Sequence, residues 1–95
     1  MVEYLSPRES DDLEEARARG LDWARVVRCF LDGARLLLGW DRALSEDAIA
    51  RLAGIDRAGV GAAIDEAVRW CVAHRLHLLG WQEPDDAWLY FMAVG

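Results

Sequence analysis

Between Glu46 and Asp65 the chain reads EDAIARLAGIDRAGVGAAID, and three positions in it restrict the fold more than anything else in the sequence. Ala50 is small where one helix must cross another. Gly54, four residues on, can take the positive φ that ends a helix, and Val60, six further, turns an apolar side chain inward from the next helix. Ile49, Ala53, Ile55 and Ala63 fill the remaining apolar positions. The spacing predicts two helices, about 46–53 and 57–74, joined by a tight turn.

With every one of these positions filled, the segment resembles the helix-turn-helix superfamily. The C-terminal residues extend the resemblance to its winged-helix branch. Leu76 to Trp81 (LHLLGW) and Ala87 to Val94 (AWLYFMAV) are aromatic- and leucine-rich, and the QEPDD between them signals a turn. The runs predict a hairpin with strands about 76–81 and 87–94. Members of the family carry a hairpin, the wing, directly after the second motif helix.

Upstream, Ser6-Pro7-Arg8-Glu9 has the form of a capping box with proline at the first helical position, so a helix should run to about Arg19 and stop at Gly20. Its Glu9, Asp11, Asp12, Glu14 and Glu15 make a solvated face or a negatively charged docking surface. Asp22 can cap the next helix, about 22–38, in which Trp23, Val26, Val27, Phe30, Leu31, Ala34, Leu37 and Leu38 recur at helical spacing. Gly39 should end it. On the opposite side stand Arg25, Arg28, Asp32 and Arg35, with Arg28 able to pair with Asp32 one turn on. Ser45 caps the helix opened by Glu46 and Asp47. In the helix from Arg57, Val60, Ile64, Ala67, Val68 and Cys71 point inward, and Ala58, Ala62, Asp65, Glu66, Arg69 and Ala73 outward.

Ninety-five residues make one compact unit with a single core. The fold expected is mostly α with a small β-hairpin: a winged-helix-like three-helix core over 21–95, plus an added acidic helix within 1–20. MVEYLSPRES lacks a charged-then-apolar leader and no apolar run approaches a membrane span, so a cytoplasmic protein with no membrane partner is expected. The net charge is −6 and all eleven basic residues are arginine. Such a chain is repelled by nucleic acid on average, although a local basic patch could still bind it.

Chemistry-bearing constellations are thin. Cys71, His74 and His77 read C-x2-H-x2-H, which with Cys29 could supply four zinc ligands, but a helix-to-strand change falls between the histidines. The default is no metal and no cofactor, with both cysteines as reduced thiols. Ser6, Ser10 and Ser45 all sit at helix starts, where capping explains them. The adjacent acids Asp65-Glu66 and Asp85-Asp86 diverge on a helix or sit on a turn. Gly59-Val60-Gly61 lies inside a helical pattern, where its glycines would thin the helix for close backbone approach. An enzyme is not expected.

Two readings of function remain. At the start of the second motif helix only Arg57 offers the forked donor that reads guanine, among Asp56, Ala58, Gly61, Ala62 and Asp65. The wing tip, Gln82-Glu83-Pro84-Asp85-Asp86, has three acids and no base. The leading reading is therefore a non-enzymatic regulator or adaptor that binds another protein, or a second copy of itself, through Ala58, Gly61 and Ala62 and through the apolar wing with Trp81, Trp88 and Tyr90. One version is a phage-encoded inhibitor of nucleic-acid machinery whose acidic surfaces mimic phosphate. The alternative is a dimeric DNA-binding transcriptional regulator, contacting nucleic acid through Arg25, Arg28, Arg35, Arg51 and Arg57.

Overall fold

A computed structural model describes residues 7–36 and 43–94. It is mostly helical, with a small three-stranded antiparallel sheet. The elements in order are α1 (Pro7–Ala18), α2 (Asp22–Leu36), β1 (Leu44–Ser45), α3 (Glu46–Ala53), a 3-10 turn (Arg57–Gly59), α4 (Val60–Ala73), β2 (Leu76–Gln82) and β3 (Trp88–Val94). The expected cap at Ser6, the stop at Gly39, Leu37 and Leu38, and the side chains of Ala34 and Arg35, lie outside the described residues.

Local chemistry accounts for the breaks. Ser45 is extended at φ −74°, and its hydroxyl accepts from the Ala48 N–H at 3.2 Å, which caps α3. Gly54 takes φ 71°, and its N–H and that of Ile55 both return to the Ala50 carbonyl at 3.0 Å, closing the helix end. Gly20, at φ 80°, ends the run of α1, and the Leu21 N–H reaches the Ala16 carbonyl at 3.1 Å. Asp22 is the first residue of α2 rather than the one before it, and its carboxylate stands 3.9 Å from Arg25. The helix expected from Arg57 begins as a 3-10 turn and becomes α-helical at Val60.

The sheet order is β1-β3-β2, so β3 is central. Leu44 faces Tyr90 and Ser45 faces Leu89 on one side, and Leu76↔Val94 through Gln82↔Trp88 run along the other. The sequence predicts only the two strands of the hairpin. The third strand is two residues long, too short for any alternation to mark it in the sequence. The core lies where α2 meets α4, closed below by β2 and β3 and above by α1. Val26, Val27, Ile49, Val60, Ala67, Cys71 and Leu76 are fully buried there with Met92. α1 adds Leu13 and Ala16 against α2, and Ala24, outside the expected stripe, is buried because α2 is covered from more than one side. The outward set of α4 is exposed as the 100° step requires.

Candidate functional site

The exposed start of α4 is smooth. Ala58, Gly61 and Ala62 face solvent beside Asp65, and a Cβ placed on Gly61 would meet nothing within 4 Å. Close backbone approach is therefore not the role of that glycine. Arg57, beside them, is engaged: its Nε donates to Asp47 Oδ1 at 2.6 Å, and its terminal nitrogen lies 3.5 Å from Glu46 Oε1. The hydrogen bond to Asp47 holds the guanidinium charged still more firmly, and burial, with Glu46 and Asp65 adding to it, pushes the Tyr90 hydroxyl upward in pKa.

The hairpin has two apolar faces. Leu76, Leu78 and Met92 point into the core, and Tyr90 packs at its margin with Trp88 stacked beyond it, ring centroids 6.3 Å apart. The Tyr90 ring lies over Gly80, its cross-strand neighbour, where a Cβ would stand 2.7 Å from Cε1. The other face carries Leu79, Trp81, Leu89 and Phe91, with Trp81 and Phe91 5.5 Å apart. Leu79 is 46% and Trp81 39% exposed. The expected grouping of Trp81, Trp88 and Tyr90 on one surface does not hold, because residues 81 and 88 fall on opposite sides of the pleat. Nor does α1 cover the outer face, since it packs against α2. Alternation along residues 87–94 already separates Leu89 and Phe91 from Trp88 and Tyr90; Leu79 escapes the sequence reading and joins that face through its pairing with Phe91.

Among the described residues the arginines do not form a strip. Arg17, Arg25 and Arg28 line an open cavity of about 240 Å³ with Cys29, Asp32, Leu52 and Ala53. Arg17 pairs with Glu14 at 2.9 Å, Arg25 with Asp22, and Arg28 with Glu14 and Asp32, both at 3.4 Å. Three carboxylates thus answer three guanidiniums, leaving little net attraction for an anion. Arg51 is exposed and makes no ion pair among the described residues.

The zinc constellation is dispersed. Cys71 is fully buried, His77 lies on the outer sheet face, and His74 contacts the Glu9 carboxylate through Nδ1 while its ring lies 4.1 Å from that of Trp70, tilted by 30°. Among the described residues no group of three or more His, Cys, Asp or Glu side chains is placed to hold a metal ion, and none of the core side chains is polar. Burial pushes both thiols up to about 12, with Asp32 adding to the effect at Cys29. Among the described residues no helix is long and apolar enough to cross a membrane. No protein-family model, curated protein or solved structure matches the chain.

Proposed function

We propose that this chain is a non-enzymatic winged-helix module that binds protein rather than DNA. The element order supports the winged-helix reading: helix, strand, two helices joined by a tight turn, then a hairpin whose second strand pairs with the first strand. One observation carries the choice of partner. Arg57, the only forked donor at the start of the motif's second helix, already spends its guanidinium on Asp47 and Glu46. Reading a base would require breaking both contacts in the negative field of the phosphates. The wing offers Glu83, Asp85 and Asp86 where phosphate contacts would be made, and a broad apolar outer face instead.

Fluorescence anisotropy with duplex DNA over a salt series tests this. Binding at physiological salt should be absent or nonspecific, and Arg57→Ala should not weaken it further. Sub-micromolar affinity for one particular duplex, with a steep salt dependence lost in Arg57→Ala, would replace this reading with that of a DNA-binding regulator.

A further inference from the structure

We infer that the outer edge of β2 pairs antiparallel with the same edge of a second copy, joining two three-stranded sheets into one of six strands across a two-fold axis. This rests on the reading of the hairpin as a protein-binding surface and names its partner.

The Glu83 N–H donates to the Ala87 carbonyl at 2.7 Å, so odd-numbered residues of β2 turn their backbone groups toward β3. Leu76, Leu78, Gly80 and Gln82 therefore turn theirs outward, and among the described elements β2 packs only against β3 and α4. The edge is seven residues long. LHLLGWQ contains no lysine, arginine, acid or proline, the devices that usually guard such an edge.

Register follows from three independent demands. Overlapping Leu76–Gln82 fully with itself places Leu79 opposite Leu79 of the second copy. That register matches even-numbered residues with even-numbered ones, so each outward N–H meets an outward carbonyl, Leu78 with Gly80 of the second copy and the reverse. One residue beyond each end of β2, the same register brings Arg75, which leaves the strand at φ 62°, near Glu83 of the second copy. Arg75 is exposed and has no ion pair among the described residues, and Glu83 is held near the sheet by the Trp81 Nε1–H at 3.2 Å. The two acidic tips then lie at opposite ends of the joined strands, about 26 Å or more apart, where their repulsion is screened. On the outer face His77 stands against Trp81 of the second copy, a cross-strand pair the monomer cannot make.

Sedimentation velocity over a dilution series should show a monomer–dimer equilibrium. Leu79→Lys sets like charges on the axis and should weaken association roughly tenfold or more. Leu79→Glu should do the same, and an equimolar mixture of the two variants should restore association. Arg75→Glu should weaken it, and adding Glu83→Arg should recover it. Circular dichroism melts check that each variant is folded, since Leu79 and Arg75 are exposed. A wild-type chain monomeric to about 1 mM, or a mixture no better associated than either variant alone, overturns the inference. Heterologous capture by a monomeric chain, lost in Trp81→Ala, would overturn it while leaving the protein-binding reading standing.

Discussion

Gly54 and Gly80 would each resist a methyl group, for unrelated reasons. At Gly54 there is open space around the missing Cβ, and the obstacle is φ 71°, so Gly54→Ala should cost roughly 1 kcal/mol from backbone conformation alone. At Gly80 the backbone is ordinary strand and the obstacle is the Tyr90 ring, which must leave its seat between the glycine and Trp88. Gly80→Ala should cost about 1–2 kcal/mol by overpacking. Urea unfolding of a double-mutant cycle separates the two: in a Tyr90→Ala background the Gly80 penalty should vanish, whereas the Gly54 penalty should persist. Equal penalties in both backgrounds would mean that Tyr90 does not rest on Gly80. The cysteines follow another rule. In the fold the thiols keep their protons to about 12, while the unfolded chain gives them up near the ordinary 9.0. The folded pKa is the raised one, so this contribution to stability is complete below pH 9 and is lost as pH climbs toward 12. At about pH 9 iodoacetamide should modify native Cys71 roughly a hundredfold or more slowly than the urea-unfolded chain. Fast native labelling would show that α4 opens on its own.

At the scale of elements, α1 is the accessory whose attachment can be measured. Its mean composition is polar, and it holds on through Leu13, fully buried, through Ala16, and through the Glu9 contact with His74. Leu13→Ala should cost about 2–4 kcal/mol. Hydrogen exchange then distinguishes two arrangements: amides of α1 alone losing protection means an independently docked helix, while loss across α2 as well means a shared core. The amphipathic helices are legible in the sequence because a buried stripe at helical spacing repeats over several turns, and Ser45, Gly54 and Gly20 announce their ends chemically. The hairpin is legible from its turn, and alternation separates Trp88, Tyr90 and Met92 from Leu89 and Phe91, but with both faces apolar it does not say which one meets the core. Aromatic character groups Trp88 and Tyr90 with Trp81, which the pleat separates. The engagement of Arg57 cannot be read from the sequence at all: Asp47 is ten residues away, and only the tight turn brings the two within 2.6 Å.

For the whole molecule, the sheet's order is the feature with the widest reach. β3 is latest of the three strands in sequence and sits between the other two. Leu44 waits for Tyr90, and Leu76 waits for Val94. While such a chain is being made, its helices can dock as soon as they are complete, because the α2, α3 and α4 contacts do not need the sheet. The strands cannot. Until β3 is in place, β1 and β2 have no partner strand, and their side chains rest only on α3 and α4. The same unfinished sheet arises in refolding, where the lifetime of the helical nucleus sets how long β2 offers bare strand edges to other chains.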